Sequence, residues 1–168
     1  RRRTKKIRIM LYLDCESAGL RGDIFAAALI NDNGVLFDGF YRHQDLKTNS
    51  WLRENVDPNL TGVEYQTLQS FQAAFADVWN AQEDKACVCH MGSPVESNFF
   101  QQLFDAGEIG EFGGMYPMLD TAPLLHKAGF DPTSELAFCA AKGLELPEGK
   151  PHSALFDARV TKLVWNQL

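Results

Sequence analysis

Long hydrophobic runs are missing from this sequence: in 168 residues no apolar stretch approaches the roughly 20 that span a bilayer. The opening residues also lack the apolar core of a signal peptide. A soluble, cytoplasmic protein without a membrane partner is the expectation. The chain starts at Arg1 rather than Met, as a fragment or a processed form would. Cysteine is scarce, with only Cys15, Cys87, Cys89 and Cys139, too few and too scattered for a secreted disulfide scaffold, so reduced thiols are expected. Cys87-x-Cys89-His90 has the residue types of a soft-metal site, but it sits in an apolar run that reads as a buried strand. Small core cysteines are therefore the expectation there. Basic charge is scarce as well. Arg1, Arg2, Arg3, Lys5 and Lys6 stand together at the start, and beyond them 11 basic face 22 acidic residues, a balance of −11. Such a body excludes a wide basic face gripping long duplexes. It leaves room for an acidic pocket that holds cations. No glycine-rich phosphate loop opens a helix, and no strand-turn-helix elbow surrounds Ser17 or Ser153. Asn59-Leu60-Thr61 matches a glycosylation acceptor, which means nothing without a secretion signal.

What is present describes one folded domain. Apolar residues make up 45% and charged residues 23%, ordinary for a globular protein, and the length closes a core without staples. Residues 1–6 read as a solvated basic tail and 7–168 as the domain. Ile7 to Asp14, Asp23 to Asn31 and Val35 to Tyr41 read as strands, the last two joined by the turn residues Asn31-Asp32-Asn33-Gly34. From Thr67 the period becomes helical, with Leu68, Phe71, Phe75, Val78 and Trp79 on one face. Ala86 to His90 reads as a strand, and Pro94 opens a helix carrying Phe99, Leu103 and Phe104. A glycine-rich loop spans Gly107 to Gly114, and a strand is expected over Met115 to Leu119. Thr121 to Lys127 and Thr133 to Gly143 read as helices. A last helix after Pro151 puts Ala154, Ala158, Thr161 and Trp165 on one side. This is an α/β pattern, a mixed five-stranded sheet flanked by helices, and it is similar to ribonuclease H-like domains.

Asp14 and Glu16, two apart at the end of the first strand, point the same way because strand side chains alternate. Two acids there repel unless a cation or exposure relieves them. Alone, the pair is equally a pair of exposed strand-end acids. Near the other end, His152 and Asp157 are five apart, about 140° on a regular helix, so they cannot share a helical face. His152 is therefore expected before the helix and Asp157 on it. A capping histidine and an acid that complements the helix dipole would read the same way.

Together these segments resemble a known superfamily. Leu13-Asp14-Cys15-Glu16-Ser17-Ala18-Gly19-Leu20 resembles the first motif of the DEDDh, or DnaQ-like, 3′→5′ exonucleases, Asp-x-Glu-x-x-Gly-Leu. His152-Ser153-Ala154-Leu155-Phe156-Asp157-Ala158 resembles their third motif, especially as ribonuclease T carries it. Between them the family has an Asp five or six residues after a His or Asn at a strand end. Here Glu96 lies six after His90, a spacing similar to the mammalian three-prime repair exonucleases, but with Glu for Asp. Asp105 is the fallback, and a helix-start acid is the plain alternative for Glu96. Asp120-Thr121 also resembles the family and is expected to cap the next helix.

The resemblance implies hydrolysis of phosphodiester bonds at single-stranded RNA or DNA 3′ ends, RNA slightly favoured, releasing nucleoside 5′-monophosphates with two Mg²⁺ or Mn²⁺ ions. It implies Asp14, Glu16, Glu96 and Asp157 as metal ligands, His152 as the base that deprotonates water, and Ser17, Gly19 and Leu20 against the terminal nucleotide. A homodimer is compatible with it. Two other readings stay open: a non-catalytic nucleic-acid or protein-binding module, and a proofreading subunit of a polymerase.

Overall fold

The computed structural model describes residues 9–168; the basic run Arg1 to Lys6 and the start of the first expected strand lie outside them. Three strands, β1 (Leu11–Ser17), β2 (Ile24–Asn31) and β3 (Gly34–Tyr41), form an antiparallel meander, with Leu13 opposite Leu29 and Ala27 opposite Gly39. Its second turn is made by Asn31, whose Oδ1 accepts from the main-chain N–H groups of Asn33 and Gly34 at 2.8 and 3.1 Å. That is the local side-chain bonding that makes asparagine a turn residue. Two short helices, α1 (Asp45–Thr48) and α2 (Ser50–Asn55), and a 3-10 turn at Asp57–Asn59 follow, and then β4 (Val63–Tyr65), which pairs parallel to β3. After α3 (Leu68–Asn80), β5 (Cys87–Cys89) pairs parallel to β1; after α4 (Val95–Asp105), β6 (Met118–Asp120) pairs parallel to β5. The chain ends in α5 (Thr121–Lys127), α6 (Glu135–Lys142) and α7 (Ala154–Trp165).

The sheet therefore has six strands, in the order β4-β3-β2-β1-β5-β6, not the five expected. The extra one is β4, a three-residue edge strand with Val63 and Glu64 exposed and Tyr65 half-buried. So short and open a segment carries no period to read. The strand expected over Met115 to Leu119 is shorter and shifted, ending at Asp120. β1 runs on to Ser17, which puts Asp14 and Glu16 inside the strand rather than at its close.

Helices cover both sheet faces. On one, Leu11, Leu13 and Cys15 of β1 meet Phe71, Phe75 and Trp79 of α3 and Phe99, Phe100 and Leu103 of α4. Ring centroids are 4.6 Å apart for Trp79–Phe100 and 4.7 Å for Phe75–Phe99, each such pair adding roughly 0.5–1.5 kcal/mol beyond its buried area. α3 starts at Thr67 through a capping box with Ser70, which satisfies donors the helix itself leaves open. On the other face Tyr12 of β1, Ala28 and Ile30 of β2 and Val88 of β5 receive Ala154 and Ala158 of α7. Those alanines let α7 lie close to the sheet. Behind it, α5 and α6 pack through Leu125, Phe138 and Cys139 onto Phe156, Val160 and Val164. All four cysteines are buried and free, as small core residues. No helix among the described residues is long and apolar enough to cross a membrane.

Candidate functional site

Strand alternation sends Leu13 and Cys15 toward α3 and α4, so Asp14 and Glu16 share the other face with Tyr12, under α7. α7 brings Asp157 to them from its first turn. β5 is only three residues long and pairs with β1 at Leu11 and Tyr12. Farther along, the free edge of β1 is taken by a side chain: Glu96, from the first turn of α4, accepts the main-chain N–H of Cys15 at 3.0 Å. Glu96 is 3% exposed. The Glu96 carboxylate is thus clamped to the amide between Asp14 and Glu16.

His152 stands before α7, as its spacing from Asp157 demands. Its backbone is left-handed, with φ at 64°, and its N–H donates to Asp157 Oδ2 at 2.9 Å. Asp157 therefore fixes the turn that presents the imidazole, while the N-cap of α7 is Ser153 and not His152. Glu16, His152 and Asp157 each place one ligand atom within 4.8 Å of the others. Asp14 and Glu96 are outside that set of three.

Burial, reinforced by neighbouring acids, raises the carboxyls of the whole group. Burial, then Asp157, Glu96, Glu16 and Glu135, hold the Asp14 carboxyl well above its ordinary range. Burial, with Asp157 and Glu96 adding to it, pushes Glu16 up to about 8. Burial also pushes Glu96 up to about 8, against the pull of its main-chain hydrogen bonds. Asp157 rises to about 7 through burial, opposed by the His152 N–H and helped by Glu135. Buried carboxylates resist ionising beside one another, and a cation among them relieves that cost. Oxygen donors with one imidazole suit hard divalent ions such as Mg²⁺ or Mn²⁺.

The remaining expected positions fall into two groups. Ser17 ends β1, and Gly19 and Leu20 follow in the turn to β2. Gly19 has φ at 114°, which favours glycine, and Leu20 is 69% exposed. α4 holds this turn: Asn98 Nδ2 and Gln102 Nε2 both donate to Gly22 O, at 3.2 and 2.9 Å. Asp105 is set apart. It lies nine residues beyond Glu96 on α4, about 13 Å along the axis, and accepts from Gln101 Nε2. Asp120 caps α5 as expected, through Ala122 N, and also accepts from the N–H groups of Met91 and Gly92.

Sequence reasoning missed the layer beneath. Glu135 of α6 is buried and accepts from Thr121 Oγ1 at 2.6 Å and Thr161 Oγ1 at 2.8 Å. Since the Thr121 hydroxyl gives its proton to Glu135, it accepts from His90 Nδ1 at 2.9 Å. His90 Nε2 is then buried with no hydrogen-bond partner. This network ties β5, α5, α6 and α7 together behind Asp14. No short motif marks it, because its members are spread over 72 residues of chain from His90 to Thr161.

No family model matches this chain, and no curated protein matches it in sequence.

Proposed function

We propose that this protein is a metal-dependent 3′→5′ exonuclease acting on single-stranded nucleic acid, with a ribonuclease H-like fold. The observation that carries the reading is the convergence of Asp14, Glu16, Glu96 and Asp157 from β1, α4 and α7, with their carboxyls raised first by burial and then by neighbouring acids, and His152 beside Glu16 and Asp157. An antiparallel three-strand meander followed by parallel strands, helices on both faces, supports the fold assignment.

Divalent ions held there would supply a hydroxide nucleophile and stabilise the leaving 3′ oxygen. Asp14 and Glu16 are presented rigidly by a strand hydrogen-bonded to β2 along its length. Glu96 is oriented by the Cys15 N–H, which holds its Oε1 against the edge of β1. Asp157 does two things: it faces the strand acids, and it holds the His152 turn. His152, exposed on that turn beside Glu16 and Asp157, would take the proton of the attacking water as general base. Leu20, on a turn braced by α4, is the wedge against the terminal base.

Incubation of 5′-labelled single-stranded RNA and DNA with Mg²⁺ or Mn²⁺ tests this. The expected result is a ladder shortening one nucleotide at a time from the 3′ end, released as nucleoside 5′-monophosphates, faster on RNA, and lost with EDTA or in Asp14→Ala. Intact oligonucleotide after incubation with folded protein and either metal overturns it. Retention of that oligonucleotide in a mobility shift would then point to a binding module.

A further inference from the structure

The chemistry above gives no role to Glu135, although it is buried and a buried carboxylate costs more in desolvation than a leucine filling the same space. Its place is fixed locally. It is the first residue of α6, whose start Ser134 caps by accepting the Ala137 N–H at 3.1 Å. From there its two oxygens reach two other helices, Oε1 accepting from Thr121 of α5 at 2.6 Å and Oε2 from Thr161 of α7 at 2.8 Å. Both threonines are buried. Thr161 stands four residues after Asp157, so the two share a face of α7, about 6 Å apart along its axis. Thr121 leads the other way. It follows Asp120, whose carboxylate holds the main-chain N–H groups of Met91 and Gly92 in the segment that leads into α4 and Glu96. Glu135 thus joins the segment that delivers Glu96 to the helix that delivers Asp157.

We propose that Glu135 is a positioning residue for the cation site: by bridging Thr121 and Thr161 it sets how α7 is turned, and so where Asp157 stands against Asp14, Glu16 and Glu96. The inference rests on the metal-dependent reading above. α7 meets the sheet through Ala154 and Ala158. Methyl groups let a helix lie close but specify its rotation and slide weakly, whereas a hydrogen bond has a length and a direction. A fully bonded buried network holds one arrangement rigidly, and a carboxylate supplies acceptors to two helices from a single side chain. The charge of Glu135 reaches the site too, since it helps to raise the carboxyls of Asp14 and Asp157. Bond and charge are separable by substitution.

Mn²⁺ affinity by calorimetry, the urea midpoint without metal, and kcat and KM on single-stranded RNA are to be compared for the full-length parent, Thr161→Val, Thr161→Ser and Glu135→Gln. Thr161→Val removes the hydroxyl and keeps both the shape and the charge of Glu135. Its Mn²⁺ affinity is expected to fall roughly 10- to 100-fold, the cost of losing a partner that orients a metal ligand, with kcat falling alongside and KM for the strand little changed. Thr161→Ser restores both. Glu135→Gln keeps an acceptor for Thr121 and offers an N–H to Thr161, so it should bind Mn²⁺ within a few-fold of the parent. The reverse pattern, affinity lost in Glu135→Gln and kept in Thr161→Val, would make Glu135 a buried charge and overturn the proposal. Parental affinity in every variant, with only the urea midpoint lowered, also overturns it, because the bond then serves the fold alone. Should Thr161→Val not fold, Glu135→Leu combined with Thr161→Val, in which neither end of that bond is left unpaired, takes its place. Affinity lost there but kept in Glu135→Gln supports the bridge; equal affinity in those two variants overturns it. If the parent binds no Mn²⁺, the metal-dependent reading fails and this proposal with it. If the parent binds Mn²⁺ but cuts no strand, only the nuclease reading fails, and the affinities still decide what Glu135 does.

Discussion

Raising the pH in the absence of divalent cations should destabilise this protein across the neutral range. In the fold, Glu16 and Glu96 titrate near 8 and Asp157 near 7, against 4.5, 4.5 and 3.8 for the same groups free in water. Between about pH 5 and 8 the native state therefore holds protons that the unfolded chain has released. Stability falls with rising pH wherever the native state binds more protons. The favourable contribution of the neutral carboxyls is complete below the unfolded values and is lost as the pH climbs through the folded ones. Neighbouring carboxyls shed protons one after another rather than together, so one proton of difference, about 1.4 kcal/mol per pH unit, is the working slope. Over the two units from pH 6 to 8 that amounts to about 3 kcal/mol, or roughly 6–12 °C in Tm for a domain of this size. Thermal melts in EDTA at half-unit pH intervals measure it. Saturating Mg²⁺ should flatten the slope, because a cation replaces the protons and binds only the native state. Glu16→Gln should flatten it in EDTA as well. A Tm that is level or rising from pH 6 to 8 in EDTA would refute the crowded acidic cluster.

Two substitutions separate roles within the site. Glu96→Gln keeps an oxygen for the Cys15 N–H, so it should fold with near-parent stability while hydrolysis drops severely; Glu96→Ala leaves that buried donor unpaired and should cost a further 1–3 kcal/mol or so in urea melts. Unchanged hydrolysis by folded Glu96→Gln would reduce Glu96 to a strand-edge cap. His152→Ala should slow hydrolysis by roughly 10²–10⁴-fold, the range of a general base, with Mg²⁺ affinity little altered in calorimetry. Loss of metal binding would make His152 a ligand, as its closeness to the Glu16 and Asp157 oxygens allows.

The sequence alone was enough to locate the first three strands and the helical faces, and the resemblance of its motifs singled out the acids and the histidine of the cluster. Alternation of two, recurrence at three to four and the turn residues Asn31 to Gly34 are local signals, each fixed by the geometry of a few neighbouring peptides. It also put His152 off the helix that bears Asp157, since five residues on a helix cannot share a face. The rest depends on contacts between distant segments. β4 exists because β3 offers an open edge to Val63–Tyr65, not because those residues carry a pattern. Glu96 acquires a partner because β5 is too short to cover the β1 edge at Cys15, which leaves an amide to be satisfied from α4. Glu135 is held by hydroxyls from α5 and α7, and Trp51 reaches His152 across about a hundred residues of chain. Contacts of that separation depend on where the whole sheet sends each connection, and no window of neighbouring residues contains that information.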